Sequence, residues 1–226
     1  MTNTNPNTSL ALDKAARNLA DAMMTNYRKL HPDNPKIVST DKLMDTVTNH
    51  ALAAAAAGMG VSALPMAGSL MASGAMVTFI WSMYLRINEC LGLKFSKVAV
   101  KTICSALVTN LGQYIASSLG ISLLSSVISS TGIGIVPAAA IMGGMTYAII
   151  VVSGILYLKL ITSLVEAGCD PETVSEDILK EQTAAVAKGE DVKAMLKEQR
   201  EKYKEGRKDG SISGNETVEL CSEAKA

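Results

Sequence analysis

Four cysteines, two histidines and two glycine clusters are the residues of this sequence whose types and spacing could do chemistry. Cys90, Cys104, Cys169 and Cys221 include no C-x-x-C pair, and neither His31 nor His50 lies near them in sequence, so the spacing of a zinc site is absent. They read as four unpaired thiols, with Cys104 in an apolar run where a buried cysteine acts as a small hydrophobe. Gly58 to Ala63 fits G-x-G-x-x-A, but a dinucleotide fingerprint needs a preceding β-strand and this one follows polyalanine. Gly132 to Pro137 repeats the G-x-G without the final small residue, a strand or an acidic ribose partner. Acid–base chemistry needs positioned titratable groups, and His31 and His50 stand outside the apolar region with no evident catalytic partner. The expectation is a chain with no enzymatic activity, no cofactor and no metal.

The elements that would position any site are dominated by one stretch. From Thr102 to Leu158 there is no Asp, Glu, Lys, Arg or His. About 20 apolar helical residues span a bilayer core of about 30 Å, so a run of more than twice that length with a central break predicts a helical hairpin. Gly132, Gly134 and Pro137 make the break: the glycines release helical geometry, and Pro137 can open the next helix without losing a needed N–H. Met66 to Leu85 is also uncharged, about one span long, and ends in Trp81 and Tyr84, residues that favour the membrane interface. Hydrophobic residues make up 48% of the chain, and the charges gather towards its two ends. With 21 basic and 21 acidic residues the formal net charge is zero, which excludes the basic field that draws nucleic acid.

Leu10, Leu12, Ala15, Ala16, Leu19, Met23, Tyr27 and Leu30 predict a first amphipathic helix, closed by the turn His31-Pro32-Asp33-Asn34-Pro35. Ser39 or Thr40 can cap a second, which enters Ala51 to Ala57, a stretch suited to close packing on another helix. Gly58-Met59-Gly60 should loosen this helix, and Leu64-Pro65 should end it. Arg86, Lys94, Lys97 and Lys101 form a basic segment placed to meet lipid headgroups, the plain alternative being a solvated loop. Gly112, Ala116 and Gly120 make a ladder of small residues, and Gly144 with Ala148 a shorter one, so the arms of the hairpin should pack closely, on each other or on another copy. Serines from Ser105 to Ser130 make the first arm the more polar one and suit the wall of a pore. After the Gly168-Cys169-Asp170-Pro171 turn, two polar helices with thin apolar faces are predicted over Ser175–Ala187 and Glu190–Lys204. A disordered tail is predicted from Gly206.

Between Gly60 and Ala167, about half the chain, the features come in a familiar order carried mainly by glycine, proline and leucine: Leu64-Pro65, a helix with Tyr84, Leu91-Gly92, an apolar arm, Gly-Ile-Gly-Ile-Val-Pro, and a second glycine-rich arm. This resembles a bacterial family of unknown function that forms the membrane-inserting part of some inner-membrane proteins, often fused or adjacent to small GTPases. The resemblance implies helical hairpins in the inner (cytoplasmic) membrane, both ends in the cytoplasm, and no enzymatic activity. The GTP-binding signature G-x-x-x-x-G-K-[ST] is absent, so any GTPase would be a separate protein.

The expectation is therefore an all-α membrane protein with Gly/Ala-rich hydrophobic hairpins and polar helical ends. Its parts are polar helices at 1–50, a membrane-inserting domain at 51–167, polar helices at 168–205 and a tail at 206–226. Basic residues in all three wet segments predict that 1–50, 86–101 and 159–226 stay cytoplasmic, with a shallow first hairpin and a deeper second one. The expected role is to anchor, organise or remodel a membrane patch and recruit a cytoplasmic partner, with self-association into an oligomer. An oligomeric pore lined by the serine-rich arm and a helical bundle acting as an interaction domain are the alternatives.

Overall fold

The computed structural model describes residues 21, 25, 40–61, 67–111, 135–169, 173–188 and 192–221, and these form six helices with no strand. In chain order they are α1 (Thr40–Val61), α2 (Ala67–Leu91), α3 (97–111), α4 (Ile135–Glu166), α5 (Glu176–Lys188) and α6 (Val192–Asp209). The all-α class is as expected. The first amphipathic helix, Gly112, Ala116, Gly120, Gly132 and Gly134 lie outside the described residues. Pro137 stands in the first turn of α4, where its missing N–H is harmless.

The helix boundaries follow from local chemistry. Thr40 begins α1, and its hydroxyl donates to the Asp21 carboxylate. The α2 helix ends at Gly92, whose φ of 67° is open to glycine; Leu93 N–H bonds the Asn88 carbonyl at 2.9 Å and Gly92 N–H the Glu89 carbonyl at 3.3 Å. The end of α4 repeats this closure at Gly168, φ 70°, through Cys169 N–H to Leu164 and Gly168 N–H to Val165. Serine hydroxyls start the next helices: Ser96 accepts from Ala99 N–H at 3.0 Å for α3, and Ser175 from Ile178 N–H at 3.4 Å for α5. Gly58 and Gly60 do not interrupt α1, which continues to Val61.

The centre of the fold is α4. Nearly every residue from Tyr147 to Val165 is buried, whichever way it points, because a helix that is apolar all round has no side to give to water. Its widest contacts are with α1 and α6, with α2 and α5 filling the remaining sides. Leu43, Met44, Val47 and the alanines 51 and 53–55 are buried in α1, so the polyalanine does serve close helix packing. In α3, Val100, Ile103, Leu107 and Leu111 make one buried stripe at helical spacing.

Two expectations change here. The polar helices α5 and α6 use their thin apolar faces within the chain: Leu179 and Thr183 are buried in α5, and Val192, Leu196, Gln199, Tyr203 and Gly206 in α6. The tail expected to be disordered from Gly206 is placed as far as Cys221. Helix α6 continues to Asp209, and Ile212 folds back to be buried against Gly206, with its N–H on the Gly206 carbonyl at 2.9 Å. A polar composition hides that single apolar anchor.

The closest approach to α4 is at Gly154. A Cβ there would stand 2.8 and 3.0 Å from the two Val47 methyls and 3.3 Å from the Met83 sulfur. Val47 is β-branched on a helix and has almost no alternative rotamer, so it cannot yield. Alanine in place of helical glycine ordinarily gains about 1 kcal/mol. Gly154→Ala should instead lose about 1–3 kcal/mol from overpacking. The urea midpoint followed by helical circular dichroism measures this, and an increase would mean that α1 does not approach α4 so closely.

Candidate functional site

Two polar constellations lie inside the bundle, and both are built from α2. Tyr84 and Asn88 are one turn apart on α2, and Ser153 and Tyr157 are one turn apart on α4. Tyr84 donates to the Ser153 carbonyl at 3.2 Å and its hydroxyl is also hydrogen-bonded to the Ser153 hydroxyl, while Tyr157 donates to Asn88 Oδ1 at 2.7 Å. The two rings stack between these bonds, centroids 3.9 Å apart and nearly parallel at 9°. Residue numbers rise together in both pairs, so α2 and α4 run in the same direction. All four side chains are buried. Buried hydroxyls and amides demand partners, and here each helix supplies the other's.

The second constellation joins α1, α2 and the C-terminal segment. His50 Nδ1 is 2.8 Å from the Thr46 carbonyl, which can only accept, so Nδ1 carries the proton and Nε2 is left to accept. Ser82 Oγ lies 3.2 Å from that Nε2 and donates to it. The same oxygen accepts from Cys221 N–H at 3.0 Å, 139 residues further along the chain. Serine on a neutral imidazole held by a third group is the arrangement of a nucleophile and its base. Ser82, however, is in the interior of α2 with no exposed surface, so the pair reads as a core contact. Sequence alone places His50 outside the apolar region; it is buried, and Thr46 one turn earlier is the signal for its local partner.

Burial disfavours the charged imidazole and lowers the His50 pKa; the Thr46 carbonyl acts against this, and the Arg86 guanidinium adds to it. A histidine whose folded pKa is depressed below its ordinary value contributes stability that is present above that value and lost as pH falls through it.

The exposed candidates lie around α3. Lys94, Lys97 and Lys101 are exposed, whereas Arg86 is half-buried and pairs with Glu89 at 2.9 Å. Lys101 and Lys180 stand on the two sides of an open groove of about 630 Å³, floored by Thr102, Ser105, Thr109 and Asn110. Lys180 is itself 3.9 Å from both Glu176 and Asp177, which tempers the positive charge. Arg86 is thus set apart from the other three members of the basic segment.

Of the small residues, Ala148 is fully buried, and a Cβ on Gly144 would meet the Tyr203 ring at 3.3 Å. The contact across Gly144 is therefore α6, where small-residue spacing points to the other arm or to a second copy. The Tyr147 and Tyr203 rings lie 5.2 Å apart beside it. Val192, Leu196 and Tyr203 are the large apolar groups that α6 buries, worth about 1.5–3 kcal/mol each. Gln199 offsets part of that: it is 2% exposed, and its Oε1 has no partner among the described residues, at a cost of about 1–3 kcal/mol. Among the described residues no three His, Cys, Asp or Glu side chains come together to hold a metal ion, and the four cysteines are free thiols.

The fold and these contacts define an all-helical protein organised around one apolar helix. No protein-family model, curated protein or solved structure matches the chain.

Two outcomes are expected from the polar contacts. Tyr157→Phe should cost about 1–3 kcal/mol because it leaves Asn88 Oδ1 buried without its donor, and adding Asn88→Leu should restore much of the loss. Equal losses in the single and double variants would mean that the bond does not link the helices. Stability should also fall more steeply between about pH 7 and pH 5 in the native chain than in His50→Gln; parallel profiles would remove His50 as the titrating group.

Proposed function

We propose that this chain is a non-enzymatic bacterial membrane protein that anchors and organises a patch of bilayer and recruits a cytoplasmic partner through its polar helices. The observation that carries the reading is α4. Its segment Met142–Glu166 is 25 residues long and, among the described residues, the one helix apolar and long enough to cross a membrane. At 1.5 Å per residue that is about 38 Å, against a hydrocarbon core of about 30 Å. Lys94, Lys97 and Lys101, exposed around the start of α3, supply contacts for lipid headgroups, and the hydroxyl floor of the groove beside Lys101 can bond phosphate oxygens. The inner membrane with both ends cytoplasmic, self-association, and a separate GTPase as partner belong to the same proposal, through the family resemblance.

A second reading is favoured by one observation: 89% of the most apolar window of α4 is buried inside the chain's own fold. On that reading α4 is the core of a helical interaction domain and never meets lipid.

Washing membranes from expressing cells with high salt and then alkaline carbonate separates the two. Retention in the pellet is the expected result. Release as a monodisperse species would overturn the membrane reading and leave the interaction domain. Dye leakage from vesicles carrying the purified protein, without change of vesicle shape, would instead favour the oligomeric pore.

A further inference from the structure

The helix apolar enough to cross a bilayer is covered along one side by a highly charged helix. In α6 a single stripe faces inward, while Lys193, Glu198, Glu201, Lys202 and Lys204 lie off it, with ion pairs Lys202–Glu198 at 2.7 Å and Lys204–Glu201 at 3.4 Å. The stripe from Val192 to Gly206 is about 21 Å long at 1.5 Å per residue. Its Tyr203 sits on Gly144 and Tyr147, both inside Met142–Glu166. Charged side chains are excluded from the middle of a bilayer, so this face of α4 cannot hold α6 and lipid at once.

We propose that α6 and the segment after it form a displaceable cover, and that the α4 face beneath takes the acyl chains of a bilayer when the cover lifts. The proposal rests on the membrane reading of α4 and reconciles it with the burial of that helix. Three features of the contact bear on release. The buried stripe is narrow, and the Gln199 carbonyl oxygen within it lacks a partner among the described residues, so docking leaves one polar group unsatisfied that water would satisfy. Tyr203, the largest side chain of the stripe, meets α4 through the bare backbone of Gly144 and the tilted Tyr147 ring. Beyond α6, the segment is also fastened to the bundle at Ser82 by the Cys221 N–H, a bond separate from the stripe that must open if the whole cover lifts. The covered face is a lipid surface by composition: from Gly144 and Tyr147 it continues at helical spacing into Ala148 and Val151, without a charge.

The test uses the full chain with its four cysteines replaced by alanine and the pair Gly144→Cys, Tyr203→Cys added, oxidised to lock α6 on α4. Vesicles of phosphatidylethanolamine and phosphatidylglycerol are the probe, and the readout is the fraction that floats with them after alkaline carbonate. Reduced protein should insert, and oxidised protein should insert at least about tenfold less, recovering on reduction. In parallel, trypsin cleavage within α6 of the native chain, which has lysine and arginine along its length, should be slow in buffer and fast with vesicles. Equal insertion of locked and reduced forms, or α6 protection unchanged by vesicles, overturns the cover while leaving the membrane reading intact. Insertion by neither form overturns the membrane reading itself. Dimerisation of the reduced form without vesicle binding assigns the covered face to a second copy and overturns the lipid assignment.

Discussion

A helix with no polar side must be enclosed on every side, and α4 imposes that requirement on all its neighbours. From Tyr147 to Val165 only Lys159 and Ser163 reach water. A helical hairpin alone would leave part of it bare, so α1, α2, α5 and α6 are all drawn against it. The fit differs from side to side. Against α1 the fit is tight, because Gly154 admits Val47 and the buried alanines bring the two backbones together. Against α6 it depends on a few large side chains on an otherwise charged helix.

Apolar contacts around such a helix fix its burial but leave its register open, since one turn of isoleucine and valine packs much like the next. The polar bonds remove that freedom. Tyr84 with Ser153 and Tyr157 with Asn88 can both form at only one alignment of α2 and α4, and a slip by one turn would orphan buried hydroxyls. His50 does the same between α1 and α2: the Thr46 carbonyl selects its tautomer, and the tautomer selects Ser82 as donor. Buried polar groups here act as alignment marks, and they fall on three of the helices that enclose or form the core.

Much of the fold is legible in the sequence. The all-α class, the turn at Gly168, the opening of α4 near Pro137 and the two polar helices after Val174 come from residues with strong local preferences. The partners of those helices do not. The thin stripe Val192, Leu196, Tyr203 looks the same whether it faces a foreign protein or the chain's own core, and Ile212 is one apolar residue in a polar tail. His50 looks peripheral because its surroundings in sequence are polar on one side; its partner Ser82 is 32 residues away, and only the fold brings them together. The small residues are legible as contact points, but Gly144 meets an aromatic ring, and Gly154, where α1 seats Val47 on α4, gives no signal because it lacks a small neighbour at ladder spacing.

The reciprocal bonding of α2 and α4 bears on how the molecule can deform. Two hydrogen bonds and a ring stack at one level work as a pair of dowels: they resist sliding, rotation and separation together, so α2 and α4 must travel as a single block. His50 ties α1 to that block through Ser82, and the Val47 methyls seated at Gly154 bring α1 against α4 as well. Any change of shape is thereby channelled to the periphery. Force applied to the C-terminal segment would reach the block through the Cys221 contacts at Ser82 and the buried stripe of α6, and the rest would respond as a rigid body.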